Sequence, residues 1–244
     1  MSQDSTIGVV LMSFGAAATP DEIPAYLSSV RGGQQVPEQL IVEFKRRYAA
    51  IGGSPLLKIT RAQAKALETL LNTEFWNDGS SYRVEVGMRH SSPTVTEAFA
   101  RLSNDGIEQV VPIIMAPQHS PIIMAGYHSA VDQARHQFTE PVKVIMARAW
   151  HDTPAFLDAL TQRLEEALAR LPGTRDQVAV LFSTHSMPKI VVEREPEYTE
   201  MLHDTAREVA VRANLKPSQW QLAYQSAAHT PACDYEGRYG KVDR

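Results

Sequence analysis

Short apolar runs alternate with longer segments of helical periodicity along this chain of 244 residues. Several of the runs are apolar nearly throughout, rather than at every second position. A strand that is apolar on both faces is typical of a parallel sheet covered by helices on each side. The predicted strands are residues 7–14, 82–88, 109–115, 142–147, 177–183 and 220–225.

The clearest predicted helix begins where Thr153 can cap the first turn and Pro154 occupies the first helical position. Leucines then recur at spacings of 3, 4, 4 and 3 residues from Leu157 to Leu171, which places them on one face. Less regular patterns over residues 61–71, 94–102 and 198–211 predict further helices. Strands and helices therefore alternate, and this order predicts an α/β fold with right-handed crossovers.

Two faintly similar halves are visible, each with a strand that ends in a polar turn containing a His-Ser pair. The pairs are His119-Ser120 and His185-Ser186. The pattern predicts two similar Rossmann-like parallel-sheet domains, residues 1–130 and 131–244, although a two-residue match leaves an internal duplication open. The polar, glycine-containing stretch from about residue 232 predicts a loosely ordered tail.

The composition is that of an ordinary globular protein and disfavours several classes of function. Lys and Arg total 24 and Asp and Glu total 28, a net charge of −4, which disfavours a polybasic nucleic-acid binder. The single cysteine, Cys233, excludes a disulfide within the chain and a zinc site built from several thiolates. The sequence also lacks the apolar stretch of a membrane span and the pattern of a signal peptide. We therefore expect a cytoplasmic protein. We also expect a monomer.

Histidines are concentrated at the predicted carboxyl ends of strands, where open parallel sheets bind their ligands. His90, His119 and His185 are three of the eight histidines in the chain. A structural role in a turn or a helix cap would explain any one of these histidines. For the three together, a functional role and a structural role are equally open. The dinucleotide, Walker and hydrolase-elbow motifs are absent. By composition alone, Gly52-Gly53-Ser54-Pro55 predicts a turn between two helices.

Longer blocks of sequence are more specific than these single residues. Two stand out, Ile-Gly-Gly-Ser-Pro-Leu at 51–56 and Ser-Thr-His-Ser-Met-Pro at 183–188. Shorter ones lie at residues 10–15, 30–33, 47–50, 87–90 and 115–117. With these blocks in this order, the sequence resembles the ferrochelatase family, most closely the short bacterial coproporphyrin type. The resemblance extends from residue 7 to about residue 231.

The resemblance implies a chelatase-type fold of two α/β domains, the second of them incomplete here. It also implies a lyase of haem biosynthesis that inserts ferrous iron into coproporphyrin III or protoporphyrin IX. The expected partners are the porphyrin and Fe²⁺, and no cofactor is expected beyond the substrate Fe²⁺. Insertion requires the loss of two protons from the inner pyrrole nitrogens while the metal sheds its water.

The site residues are likewise carried over by resemblance. His185 is the residue that accepts protons or binds the iron, roles that suit a neutral imidazole. His90 is a further residue of the pocket or of the path by which metal enters. Arginine suits a propionate because its planar guanidinium binds a carboxylate at two points. The residues implied to contact the porphyrin are Phe14, Arg31, Arg47, Tyr48, Ser54 and Tyr127.

The sequence departs from the family pattern in three places. Phe14 stands where many members of the coproporphyrin type have a tyrosine, so no hydroxyl could reach the iron from there. His119 replaces an aromatic residue and receives no role. The family continues after the strand that ends near residue 226 into units carrying an acid paired with the catalytic histidine, which these last residues do not resemble. The acids available here are each expected to be exposed charges rather than substitutes for the missing acid, so we expect reduced or lost catalysis; they are Glu193, Glu195, Glu197, Asp234 and Glu236.

Two other functions stay open at this point. One is a non-catalytic porphyrin or haem carrier that retains the cleft, and the other is a related chelatase for cobalt or nickel. The block at residues 51–56 favours a ferrochelatase over the latter. Metal insertion that depends on His185 would distinguish the enzyme from a carrier.

Overall fold

The computed structural model describes residues 6–75, 79–187 and 189–225. Its contacts divide the chain into two units. The first comprises residues 1–116 and 124–148, and the second comprises residues 117–123 and 149–244. The predicted division between residues 130 and 131 stays a prediction; it falls inside a helix of the structure, Pro121–Ala134. The predicted loose tail lies outside the described residues.

The first unit is built around a parallel sheet of four strands, β1 (Thr6–Ser13), β2 (Ser81–Met88), β3 (Gln109–Ile114) and β4 (Lys143–Val144). Their order across the sheet is β2-β1-β3-β4. Strand β1 therefore lies in the interior of the sheet and is paired along its length with β2. The helices are α1 (Ile23–Val30), α2 (Glu38–Ile51), α3 (Leu56–Leu70), α4 (Val95–Asn104) and, from Met124 onward, α5 (Pro121–Ala134), whose first three residues belong to the second unit.

Apolar side chains cover both faces of this sheet, as the apolar runs predict. Val10 and Met12 lie in one cluster with Phe99 of α4 and Val131 of α5. Their alternating neighbours on β1 lie in a second cluster that includes residues of α3. Because successive strand residues point to opposite faces, helices must bury both. The predicted α/β fold with parallel sheets is confirmed.

Strand β4 is shorter than the predicted 142–147, and a proline of β3 explains why. Hydrogen bonds from Ile145 N to Val110 O (3.0 Å) and from Ala147 N to Pro112 O (2.9 Å) continue the ladder beyond Val144. The nitrogen of Pro112 faces the same side as its carbonyl oxygen but has no hydrogen to donate, so one bond of the ladder is missing. The backbone stays extended while the regular pairing ends.

The second unit contains a two-stranded parallel sheet of β5 (Val180–His185) and β6 (Trp220–Gln225). The pairing runs from Val180 opposite Trp220 to His185 opposite Gln225. Strand β5 starts three residues later than predicted, because a single helical turn occupies Arg175–Gln177. The other elements are α6 (Pro154–Leu168), α7 (Lys189–Arg194) and α8 (Pro196–Arg212).

Helix ends differ from their predictions by a few residues. Thr94 caps α4 as part of a capping box, with its hydroxyl accepting a hydrogen bond from Glu97 N (3.1 Å). Thr153 does not cap α6 in this way, since its hydroxyl instead donates to the carbonyl of Trp150 (2.9 Å). Among the described residues, no helix combines the length and apolar character needed to cross a membrane.

Candidate functional site

The carboxyl ends of β1 and β2 bring two of the predicted site residues together. The parallel pairing continues past the strands, with hydrogen bonds from Arg89 N to Ser13 O (2.9 Å) and from His90 N to Phe14 O (3.0 Å). The Phe14 and His90 rings lie against each other with centroids 4.5 Å apart and planes inclined by 57°. Phe14 nevertheless remains 43% exposed, so an aromatic face is available to a flat ligand.

Glycine is required where the chain leaves β1. Gly15 has φ +99°, and a Cβ there would lie 2.7 Å from Ser91 Oγ and 3.0 Å from Ser91 N. The close approach allows Ser91 Oγ to accept a hydrogen bond from Ala16 N (3.2 Å). The two turns that carry Phe14 and His90 are thereby held together.

His90 is half-buried and hydrogen-bonded through its Nδ1 to Ser29 Oγ of α1 (3.0 Å). Burial is the main cause that lowers its pKa, and the positive charge of Arg89 acts in the same direction. An interaction with the backbone of Ser29 opposes both. The imidazole therefore stays neutral at a lower pH than an exposed histidine does.

Because of this lowered pKa, we expect His90 to make the fold less stable in mild acid. The unfolded chain binds a proton on this residue near its ordinary pKa of ~6.5, while the folded chain does so only at lower pH. The free energy of unfolding should therefore fall as the pH drops through ~6.5 and level off below the folded pKa. Urea unfolding at pH 7.5 and 5.5 should show a smaller pH-dependent loss for His90→Gln than for the wild type. The exposed His128→Gln is the control, and equal losses in all three proteins would contradict the expectation.

Arg89 occupies a notch in α5 formed by a glycine. Its guanidinium lies against Gly126, where any Cβ would collide with it, and over the ring of Tyr127 at 5.5 Å from the centroid. Tyr127 is buried in the core of the first unit, and this burial raises its pKa while Arg89 opposes the rise. Neither Arg89 nor Gly126 was predicted as a site residue. A glycine inside a helix is unfavourable, so Gly126 was the signal in the sequence that could have indicated a close contact at this position.

The remaining predicted residues of the first unit lie on α1, α2 and the turn that follows. Arg31 is exposed at the end of α1. Tyr48 packs against a cluster that includes Ala17, and burial raises its pKa. Gly52 ends α2 in a left-handed conformation, and Ser54 Oγ accepts a hydrogen bond from Leu56 N (3.3 Å) at the start of α3. The predicted turn between two helices is confirmed.

Arg47 is exposed on α2 and already has an acidic partner. Its Nε donates to Glu43 Oε1 at 2.8 Å, and its guanidinium lies 5.7 Å from the centroid of the Phe44 ring. Arg46 donates to both oxygens of the same carboxylate at 2.9 Å. These two arginines lower the pKa of Glu43 to about 2, chiefly through their hydrogen bonds.

His185 belongs to the second unit, at the carboxyl end of β5, where its side chain is exposed. Its Nδ1 lies 2.7 Å from the carbonyl oxygen of Ser186. A carbonyl can only accept, so Nδ1 must carry the proton, and in the neutral ring Nε2 then bears the lone pair. The imidazole is therefore oriented as a base or metal ligand through Nε2.

Glu195 is the acid for which the sequence-based expectation was wrong. Glu193 and Glu197 are exposed as expected, but Glu195 is half-buried. Its carboxylate accepts hydrogen bonds from Ser120 Oγ and from Ile122 N (2.8 Å), at the beginning of α5. A negative charge at a helix N-terminus is stabilising, so these contacts explain its burial. Among the described residues, no three His, Cys, Asp or Glu side chains form a group that could hold a metal ion.

The sequence is similar to known proteins over most of its length. The sequence model of the Ferrochelatase family matches residues 6–232. The Ferrochelatase of Deinococcus radiodurans is 33% identical over 234 residues, covering 95% of this chain and 72% of the relative. That of Thermus thermophilus is 34% identical, covering 92% and 74%. The Coproporphyrin III ferrochelatase of Geobacillus thermodenitrificans is 32% identical, covering 93% and 71%.

The chain belongs to the ferrochelatase family. The resemblance drawn from the sequence blocks is thus confirmed. As a ferrochelatase-family protein, it carries Phe14 and His90 side by side at the carboxyl end of one parallel sheet and His185 at the carboxyl end of the other. The roles of these residues, and those of Arg31, Arg47, Tyr48, Ser54 and Tyr127, stay predictions.

Proposed function

We propose that this chain inserts ferrous iron into a porphyrin, coproporphyrin III or protoporphyrin IX, as a lyase of haem biosynthesis. The observation that carries the proposal is the match of the Ferrochelatase model over residues 6–232, together with relatives about one third identical over more than nine-tenths of the chain. The cleft-retaining carrier and the cobalt or nickel chelatase are not favoured by these relatives. No cofactor is proposed beyond the substrate Fe²⁺.

The proposed chemistry at His185 is proton acceptance coupled to metal entry. As Fe²⁺ bonds to the pyrrole nitrogens, the two inner N–H groups release their protons and the iron loses its water ligands. The His185 Nε2 lone pair can take up one of these protons, the other passing to water, or it can bind the incoming iron while both protons pass to water, because the Ser186 carbonyl keeps the proton on Nδ1. The exposed position of the ring supports access by substrate and exchange of the proton with solvent.

The proposed porphyrin contacts divide into apolar and charged groups. Phe14 offers an exposed aromatic face on which a macrocycle can stack. Arg31 and Arg47 are exposed guanidinium groups suited to propionates. His90, kept neutral by its surroundings, adds a polar ring beside Phe14 without adding a charge. We further propose that the protein acts as a cytoplasmic monomer, which light scattering and cell fractionation would test.

The proposal is tested by anaerobic incubation of the purified protein with coproporphyrin III and Fe²⁺, with no other addition. The expected result is an absorbance change from free porphyrin to iron porphyrin, at a rate proportional to protein concentration. Protoporphyrin IX, Co²⁺ and Ni²⁺ in parallel reactions identify the preferred substrates. Porphyrin binding without any metal insertion would overturn the proposed activity and indicate a carrier.

Loss of a propionate partner should weaken substrate binding more than turnover. For Arg47→Ala we expect the KM for coproporphyrin III to rise about ten-fold, since a charge-assisted hydrogen bond to a carboxylate is lost. The kcat should change less than about three-fold, because the interaction is equal in the ground and transition states. Steady-state kinetics measure both, with the exposed Arg163→Ala of α6 as the control. A fall in kcat at unchanged KM would contradict this role.

A further inference from the structure

Glu43 is placed to compete with a substrate carboxylate for Arg47. The two residues are one helical turn apart on α2, and Glu43 Oε1 accepts from Arg47 Nε at 2.8 Å. Both side chains are partly exposed, 36% for Glu43 and 48% for Arg47, so a ligand from solvent can reach the pair. The contact resembles the one that a propionate would form.

The geometry of the guanidinium determines which N–H groups of Arg47 are available to a second carboxylate. A carboxylate can bind arginine in a fork either end-on through the two Nη groups or side-on through Nε and one Nη. Glu43 accepts from Arg47 Nε. It therefore takes the Nε position of the side-on fork. A second carboxylate at the end-on fork would also lie close to the negative charge of Glu43 and be repelled by it.

The affinity of Glu43 for Arg47 is limited by Arg46. Glu43 Oε1, which accepts from Arg47, accepts at the same time from Arg46 Nη2 at 2.9 Å. Glu43 Oε1 is shared between two arginines, and the contact between Glu43 and Arg47 is partly exposed and screened by solvent. A ligand can therefore displace Glu43 from Arg47. The lowered pKa of Glu43 means that it remains ionised throughout the pH range of an assay.

We propose that Glu43 is a displaceable internal carboxylate that occupies Arg47 in the free protein and limits the affinity for propionate-bearing porphyrins. The inference rests on the proposed function, because it assumes that Arg47 binds a propionate. Glu43 acts only through Arg47 and is a positioning residue. In the free protein, Glu43 holds the guanidinium of Arg47 in place. It also makes binding selective for carboxylates that can displace it from Arg47.

The test measures the Kd of coproporphyrin III by fluorescence quenching for the wild type, Glu43→Gln and Glu38→Gln. Glu38→Gln is the matched control because it removes the same charge from an exposed position in the first turn of α2. We expect Glu43→Gln to lower the Kd about two- to five-fold, the range of exposed ion pairs, and Glu38→Gln to leave it unchanged. The gain should disappear in the Arg47→Ala background and with coproporphyrin tetramethyl ester, which has no carboxylates.

Five results would overturn the inference. Equal gains in Glu43→Gln and Glu38→Gln would indicate a general effect of charge. A gain that persists in Arg47→Ala would show that Glu43 acts elsewhere. Weaker binding by Glu43→Gln would show that it organises Arg47 for the ligand instead of competing. Wild-type binding with no difference between variants rejects this inference alone, whereas absence of binding in every protein rejects the proposed function and the inference with it.

Discussion

Replacing His185 with alanine should lower kcat for iron insertion by about 10²- to 10⁴-fold, the range attributed to a positioned acid or base. The variant loses the Nε2 lone pair that the Ser186 contact makes available. Because the side chain is exposed and its hydrogen bond is to its own neighbour, its removal should leave the fold intact. The expected change is therefore one of activity without a comparable loss of stability.

Anaerobic single-turnover kinetics with coproporphyrin III and Fe²⁺ measure this loss directly. His136→Ala, an exposed histidine of the short turn after α5, is the matched control and should retain wild-type rates. Porphyrin binding by His185→Ala should stay within a few-fold of the wild type, which separates catalysis from substrate capture. An unchanged insertion rate would exclude His185 as the proton acceptor or metal ligand.

Most of the strands could be predicted from sequence because their signal is local. A run that is apolar on both faces has few alternatives to a covered parallel strand, and β1, β2, β3 and β6 lie within a residue of their predictions. Strand β4 was less predictable because its length depends on Pro112 of a neighbouring strand. Pairing between strands is not visible in the sequence of either one.

The candidate site could be predicted less completely, for the same reason. Its motif residues are recognisable by type, but the partners of those residues come from distant parts of the chain. Ser29 lies 61 positions before His90, and Ser120 lies 75 positions before Glu195. Glu195 resembles any surface glutamate until α5 supplies its unpaired backbone N–H. Likewise, the proton position on His185 follows from backbone geometry that no residue pattern encodes.

Substituting Gly15 with alanine should destabilise the first unit by about 2–4 kcal/mol, combining an unfavourable backbone conformation with overpacking. At φ +99° the added Cβ would lie 2.7 Å from Ser91 Oγ and 3.0 Å from Ser91 N. The hydroxyl can rotate away, but the backbone nitrogen can move only with the whole turn. Relief of the clash should therefore separate the turn that carries His90 from the turn that carries Phe14.

Gly106→Ala provides the control for this prediction, because Gly106 also has a positive φ, +72°, but no atom of the described residues lies within 4 Å of its Cβ position. It should lose only about 1–2 kcal/mol, the cost of the left-handed conformation alone. Urea unfolding gives both free energies, and fluorescence quenching should show weakened porphyrin binding for Gly15→Ala only. Equal destabilisation by the two variants would mean that the approach of the turns adds nothing. Unchanged porphyrin binding by folded Gly15→Ala would place the ligand away from Phe14 and His90.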